Sequence, residues 1–327
     1  MGVRRKLVFT FVRHGETDEN AHKILQGSKH TPLNEAGREQ ARRLGVRLQR
    51  EHESTSKGRI GSSTCTRAGT LQAQEPPFHF IFSSNNPRAS ETSEIVADQL
   101  SLPTPAPSSA PSPTWGQVVA TPLLTERSLG AYEGRRSEQV LDEFGRLRWD
   151  HLPEPRMMGL WDIIAEESSS NQMGVESKFE FLSRAQRAIQ FMIAHIVSYL
   201  THFVSRNAIP EIRVLCVSHA LFIRALLTQL LNIGTEWIMN VGSKEPTNFR
   251  WFACDIRNAS VTRVQTEFVI YDAKRGRNDD EGTGGLIGGG EKKQESLKKK
   301  VRLMNPFLIC LNDSSHCFLD FTTVSNA

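Results

Sequence analysis

Short apolar runs alternate along the chain with polar stretches spaced like helices. Leu7–Val12 is a β-branched and aromatic run that stops at Arg13, the pattern of a strand buried on both faces of a sheet. Beyond a polar segment, Asn34 has the chemistry of a helix N-cap, and Ala41, Leu44 and Leu48 recur at helical spacing through about residue 50. Phe78–Phe82 predicts a second buried strand, and Asn86-Pro87 opens a helix whose inner stripe is Thr92, Ile95, Val96 and Leu100. Gln117–Leu124 reads as a strand, Ser137–Trp149 as a helix, Glu176–Ser205 as a long helical region, Ile212–Val217 as a strand and Ala220–Leu231 as the helix after it. Phe249–Ile256 and Ser260–Ile270 predict a closing pair of strands. Strands alternating with helices imply an α/β fold, a three-layer α/β/α sandwich around a mostly parallel sheet.

Three segments interrupt that rhythm. Residues 52–77 are Ser/Thr/Gly-rich and basic, residues 101–114 hold five of the 15 prolines, and residues 276–300 combine a glycine cluster with a lysine run. Lacking apolar residues, each is expected to be loop or disordered. One enlarged domain over residues 5–275 is therefore expected, with insertions at 52–77 and 101–114, followed by a tail, 276–327. Leu303–Phe321 has enough apolar residues to pack back as a strand or short helix, and the pattern does not place it.

Composition narrows the class. The chain has 327 residues, 38% of them apolar. The longest greasy stretch, around 185–204, is broken by Arg187, Gln190, His195 and His202, so no membrane span is expected. The N-terminal MGVRRK is followed by too short an apolar run for a secretory leader. Five cysteines, none in a C-x-x-C spacing, suggest neither a disulfide framework nor a zinc site, and point to a reducing, cytoplasmic home. The formal charge of +4 coincides with residues 291–302, which carry six basic and two acidic side chains. Since the rest of the chain balances, nucleic-acid binding by the fold is not expected.

The chemistry sits at the strand ends. The first strand closes in FVRHGETDEN, which puts Arg13, His14 and Gly15 where open α/β sheets bind ligands, with Gly15 read as opening the backbone to a phosphate. VLCVSHALFIRALL repeats the design with His219, followed by a helix whose first turn offers unpaired N–H groups to an anion. FIFSSNNPRASET delivers Arg88 at a helix start, and LLTERSLGAYEG delivers Glu126, with Glu133 seven residues later as a competing carboxylate. Gln26-Gly27, in KILQG, reads equally as a substrate-contacting turn or as loop punctuation. His195 and His202, seven apart on a helix without acidic or cysteine companions, are ordinary helix residues.

These segments resemble the histidine phosphatase superfamily, the phosphoglycerate-mutase-like proteins, over nearly all of residues 6–270. PLNEAG at 32–37, GVES at 174–177 and Arg184 match in the same chain order. The sequence departs at Ala220 and Val175, where the family usually has glycine. The resemblance implies phosphoryl transfer through a phosphohistidine. His14 would attack phosphorus, Arg13 and Arg88 would grip phosphate oxygens with planar forks, and a protonated His219 would add a donor. Glu126, chosen over Glu133 by the E-R-x-x-G-x-x-E-G match, would protonate the leaving alkoxide and then deprotonate water. Asn20 and the backbone near Gly15 would complete the cradle. No metal or other cofactor is implied. Within the superfamily the segments are most similar to the TIGAR-type fructose-2,6-bisphosphatase branch, which implies a phosphatase acting on a small phosphorylated metabolite. Phosphoglycerate mutase, bisphosphoglycerate phosphatase and an idle phosphate-recognising module are the alternatives, and the oligomeric state is left open.

Overall fold

The computed structural model describes residues 3–60, 77–100, 117–138, 174–202, 211–231, 237–238, 256–272 and 299–317. Its strands are β1 (Val3–Arg13), β2 (Phe80–Ser84), β3 (Val118–Thr121), β4 (Glu211–Ser218), β5 (Trp237–Ile238), β6 (Val261–Asp272) and β7 (Lys299–Asp313). Its helices are α1 (Asp18–Ala21), α2 (Glu35–Ile60), α3 (Pro87–Gln99), α4 (Lys178–His202) and α5 (Ala220–Leu231), with 3₁₀ turns at Pro122–Leu124, Gly130–Tyr132 and Ser315–Cys317.

The sheet order is β3-β2-β4-β1-β6-β7-β5. β3, β2, β4 and β1 are parallel neighbours, and β6, β7 and β5 follow in antiparallel steps. Because β7 reverses β6, which reverses β1, five of the seven strands share one direction, so the sheet is mixed and mostly parallel, as expected.

Side-chain alternation divides the core between the two faces. Leu7, Phe9, Phe11, Phe80, Phe82, Val214 and Cys216 face α4 and α5, whose Phe181, Ile189, Met192, Phe222 and Leu226 are fully buried. Val12, Ile81, Leu215 and Val217 face α2 and α3 through Ala41, Leu44, Leu48, Ala89 and Val96. Helices thus cover both faces, which makes the three layers.

Three elements differ from the expectation. Helix α2 runs to Ile60 rather than ending near residue 50. No proline or glycine interrupts residues 46–57, and Arg47–Glu51 and Gln49–Glu53 pair at i,i+4, so a polar stretch that reads as loop continues the helix. The strand expected over Gln117–Leu124 stops at Thr121, because Pro122 cannot donate to a ladder and Thr121 Oγ1 caps the 3₁₀ turn that follows. The unplaced segment after 303 is a strand: β7 pairs with β6, Leu303 is buried, and the sheet reaches past residue 275. The helix expected over 137–149, the strand over 249–256, the insertion 101–114, residues 61–76 and the glycine cluster lie wholly or mostly outside the described residues.

Candidate active site

The parallel register of β1 with β4 pairs Arg13 with Ser218 at the strand ends. The next residue on each strand is a histidine, so His14 and His219 emerge side by side, ring centroids 5.2 Å apart. The His14 N–H donates to the Ser218 carbonyl at 2.9 Å and ties the two ends together. β2 lies beyond β4 and ends at Ser84, next to Thr121 of β3, so helix α3 and the turn after β3 start at the same rim.

His14 is buried, and its Nδ1–H donates to the Gly15 carbonyl at 2.7 Å. That bond fixes the tautomer and leaves the Nε2 lone pair for chemistry. Burial holds its pKa well below the usual histidine value, Arg88 and Arg13 lower it further, and the Gly15 carbonyl acts in the opposite direction. The ring is therefore neutral at physiological pH. His219 differs from the expectation. Its Nδ1 accepts from the Arg88 Nε–H at 3.2 Å, which leaves Nε2–H to donate to Ser84 Oγ at 2.9 Å. Burial first, then Arg88, His14 and Arg13, depress its pKa well below 6.5, so it is a neutral imidazole and not the protonated donor expected.

Arg88 stands at the start of α3, 1% exposed. Its fork is held by backbone oxygens: Nη1 donates to the Lys29 carbonyl at 2.5 Å and to Thr31 Oγ1 at 3.2 Å, and Nη2 donates to the Gly27 carbonyl at 2.8 Å. Desolvation lowers its pKa to about 10, with Glu126 acting against that shift, so it remains a cation. Gln26 and Gly27 belong to the loop that grips it: Gln26 Oε1 accepts from Thr31 Oγ1 at 2.6 Å. Gly27 has φ +51°, and an added Cβ would overlap the Glu133 carboxylate, so glycine is required there. Arg13 donates to the Ile256 carbonyl at 2.5 Å. Asn20 closes the capping box of α1 with Thr17.

Glu126 follows β3 and its 3₁₀ turn. Its Oε1 accepts the Arg127 N–H at 2.9 Å and its Oε2 the Leu221 N–H at 3.2 Å, which seats the carboxyl on the first turn of α5, directly after His219. Burial raises its pKa; the two N–H donors, Arg88 and Arg13 oppose the rise. Glu133 is elsewhere. Its Oε1 accepts from the Ser28 N–H (2.8 Å), Ser28 Oγ (2.9 Å) and the Leu129 N–H (3.0 Å), and so ties the 26–29 loop to its own turn. Beneath Glu126, Arg184 pairs with Glu176 at 2.6 Å and donates to the Thr125 and Glu126 carbonyls at 2.7 and 3.3 Å. Arg127, fully buried, donates to the Glu176 carbonyl at 2.8 Å. The GVES stretch and Arg184 thus support the backbone on which Glu126 rides.

Gly15 allows a close approach of two backbones. Its N–H is taken by Thr92 Oγ1 at 3.0 Å, and an added Cβ would overlap the Gly37 carbonyl. The reciprocal overlap would occur between a Gly37 Cβ and the Glu16 carbonyl. The two glycines let the His14 loop sit against the start of α2, where Asn34 caps the helix by accepting from the Gly37 N–H and donates to Glu16 Oε1. Sequence reasoning also missed Ser84, Arg127 and Asn258. Asn258 Nδ2 lies 3.1 Å from each of the His14 carbonyl, the Gly15 carbonyl and Asn20 Oδ1. A lone asparagine in a turn carries no signal that it reaches a strand 244 residues away.

Among the described residues no group of three or more His, Cys, Asp or Glu is placed to hold a metal ion, and no helix is long and apolar enough to cross a membrane. A model of the histidine phosphatase superfamily (branch 1) matches residues 9–70 and 59–267. A 2,3-bisphosphoglycerate-dependent phosphoglycerate mutase of Lachnoclostridium phytofermentans is 22% identical over 241 residues, 70% of this chain and 80% of its own. Fructose-2,6-bisphosphatase TIGAR B of Danio rerio is 33% identical over 132 residues, 40% of this chain and 38% of its own. Among solved structures, one titled Mycobacterial hydrolase 2 aligns with a TM-score of 0.51 at 19% identity, covering 95% of this chain and 91% of its own. A phosphoglycerate mutase from Bacillus anthracis aligns with a TM-score of 0.50 at 19% identity, covering 80% and 88%. These structural likenesses show the fold, and the family match extends over most of the chain, from the first strand through the last motif: the protein belongs to the histidine phosphatase superfamily, branch 1.

Proposed function

We propose that the protein is a phosphomonoesterase that works through a phosphohistidine on His14, without a metal, and that fructose-2,6-bisphosphate is the first substrate to test. Superfamily membership makes it a phosphatase or mutase acting on phosphorylated metabolites. The observation that carries the mechanism is the bond from His14 Nδ1–H to the Gly15 carbonyl, which leaves a neutral, unprotonated Nε2 between cationic neighbours. In the first step Nε2 attacks phosphorus, the P–O ester bond breaks, and the leaving alkoxide takes the Glu126 proton; a buried carboxyl with a raised pKa suits that donation. In the second, the Glu126 carboxylate takes a proton from water, whose oxygen attacks phosphorus and releases phosphate from the ring. Arg13 and Arg88 supply positive charge to the equatorial oxygens throughout. A dianion beside His219 raises that histidine's pKa and recruits it as a donor. Asn20, Gln26 and Gly27 shape the cradle.

Two features favour a phosphatase over a mutase: the ERSLGAYEG segment departs from the E-R-H-Y-G-A-L form of glycolytic mutases, and the His14 segment FVRHGETDENAHKILQG is similar to the TIGAR-type branch. The mutase reading has support of its own, since relatives aligned over 70% of this chain bear that name. A single experiment separates the readings. Wild-type protein and His14→Ala are incubated with fructose-2,6-bisphosphate, bisphosphoglycerate, phosphoglycolate and a phosphopeptide for phosphate release, and with 3-phosphoglycerate plus primer for 2-phosphoglycerate. Phosphate release that vanishes in His14→Ala, with an acid-labile phosphoenzyme in the wild type, is expected. Equal activity in both proteins overturns the phosphohistidine, and 2-phosphoglycerate without free phosphate makes the protein a mutase.

A further inference from the structure

Three residues of the loop 256–260, just before β6, hold the His14 segment and Asn20. The Arg13 guanidinium donates to the Ile256 carbonyl, the Ala259 N–H donates to the Arg13 and His14 carbonyls, and Asn258 Nδ2 faces the His14 and Gly15 carbonyls and Asn20 Oδ1. Asn258 has two amide hydrogens for three acceptors, so at least one is shared. The Gly15 carbonyl is the important one, because the same oxygen accepts the His14 Nδ1–H. Asn258 therefore pins the acceptor that sets the tautomer and tilt of the histidine ring.

The loop is in turn held from β7. Asn312 Oδ1 accepts the Arg257 N–H at 2.7 Å, while the Asn312 N–H donates to Thr262 Oγ1 at 3.0 Å. Asn312 sits at φ +52°, a backbone conformation that Asn tolerates better than most residues. Immediately beyond it, Asp313 pairs with Arg47 of α2 at 2.5 Å, His316 Nδ1 accepts from Arg47 at 3.1 Å, and Arg43 donates to the Cys317 carbonyl at 3.5 Å. Arg47 and Arg263 share Glu51, which draws β6 into the same cluster.

We propose that Asn258 is a positioning residue for His14 and that the end of β7, through Asn312, holds Asn258 in place. The C-terminal segment thereby becomes part of the working site without touching a substrate. The inference rests on the reading of His14 as nucleophile for its kinetic consequence, but not for its structural one. Freed from Asn258, the Gly15 peptide can rotate, the His14 Nδ1–H loses its fixed partner, and Nε2 no longer faces phosphorus in one orientation.

Three variants test this: Asn258→Ala, Asn312→Gly, which keeps the backbone freedom but loses the acceptor, and Asn312→Asp, which keeps the acceptor. Thermal melts establish that each is folded. Asn258→Ala and Asn312→Gly are expected to form phosphoenzyme on the order of ten- to a hundredfold more slowly with KM nearly unchanged, since misaligned reacting groups lose rate before affinity. Asn312→Asp is expected to restore most of the rate. In spectra of ¹⁵N-histidine-labelled protein, the Nδ1–H signal of His14, assigned by its loss in His14→Ala, should broaden or disappear in the first two variants and persist in the third. Wild-type rates with an intact Nδ1–H signal in Asn258→Ala overturn the proposal, as do equal losses in the two Asn312 variants. If the wild type forms no phosphoenzyme, the nucleophile reading fails, and the Nδ1–H signal alone decides whether Asn258 positions the ring.

Discussion

Glu126 and Glu133 are indistinguishable by spacing, and the structure gives their amide variants opposite fates. Glu126 uses both oxygens, one on the Arg127 N–H and one on the Leu221 N–H. In Glu126→Gln one oxygen becomes an NH₂ facing an N–H donor, so a buried bond is lost and two donors oppose each other, a destabilisation of about 1–3 kcal/mol. The catalytic loss is larger. Removing a general acid and base costs about 10²–10⁴ in rate, or roughly 3–5 kcal/mol of barrier at 1.36 kcal/mol per decade. Glu133 takes its three donors on Oε1 alone, and the amide oxygen of Glu133→Gln keeps all three as weaker, uncharged bonds. Its turnover should stay within a few-fold of wild type. The assay is turnover of an alkyl phosphoester beside an aryl ester with a good leaving group, with phosphoenzyme trapped in acid-free quench. Glu126→Gln should form phosphoenzyme from the aryl ester at near wild-type rate, since that leaving group needs no proton, yet hydrolyse it slowly and fail on the alkyl ester. In the wild type kcat/KM should fall as pH rises through the elevated Glu126 pKa, and this limb should vanish in the variant. Alkyl-ester turnover within a few-fold of wild type in Glu126→Gln, together with collapse in Glu133→Gln, would refute the assignment.

Acid should destabilise the protein through its buried histidines, His79 outside the site among them. His79 is buried with its pKa pushed down to about 4, mainly by desolvation, so the unfolded chain binds a proton that the folded one refuses; stability is full above pH 6.5 and falls as pH drops toward 4, by at most about 3 kcal/mol. Denaturant midpoints at pH 7 and pH 4.5 measure the loss, and His79→Gln should shrink it; an unchanged difference would refute the attribution. Gly37→Ala, in the first turn of α2, should gain up to about 1 kcal/mol by helix propensity but instead lose about 1–3 kcal/mol, because the new Cβ overlaps the Glu16 carbonyl. A rise in melting temperature would show that this contact yields without strain.

Of the parallel half, β1, β2 and β4 were legible because each is a short run dominated by apolar residues, the composition of a strand buried on both faces. His14 and His219 were legible for a related reason, since each stands directly after such a run, and Arg88 because Asn86-Pro87 marks the helix start that follows one. The limits have equally physical causes. Residues 52–60 read as loop for want of apolar residues, yet a helix can be prolonged by i,i+4 partners, which Arg47 and Gln49 find. β7 was unplaced because Phe307, Ile309 and Leu311 on its open face are half-exposed, so its apolar pattern does not read as a two-sided core strand. The state of His219 was out of reach, since it depends on Arg88, 131 residues away, pointing Nε–H at one ring nitrogen. The packing of Gly15 against Gly37 was equally out of reach, a contact that requires both backbones at once.

The arginines show how a chain of nearly balanced charge makes a positive site. Arg38 meets Glu91, Arg47 meets Asp313 and Arg184 meets Glu176, each within 2.6 Å, and these pairs fasten helix to helix, helix to strand and the stretch before α4 to α4 itself. Their charge is cancelled where it stands. Among the described residues Arg88 has no carboxylate within ion-pair distance; it is held by the Gly27 and Lys29 carbonyls, the Thr31 hydroxyl and a neutral histidine. Carbonyl dipoles satisfy the hydrogen bonds of a buried guanidinium without neutralising it, so the positive field persists at the mouth of the sheet. Burial is the larger cause of the low histidine pKa values, and that field adds to it, while at Glu126 the field joins two N–H donors in opposing the rise that burial causes. Replacing the Thr31 hydroxyl by a carboxylate would fasten Arg88 more tightly and raise both histidine pKa values. Neutral anchoring of Arg88 is therefore what couples the loop 26–31 to the protonation states on which the proposed chemistry depends.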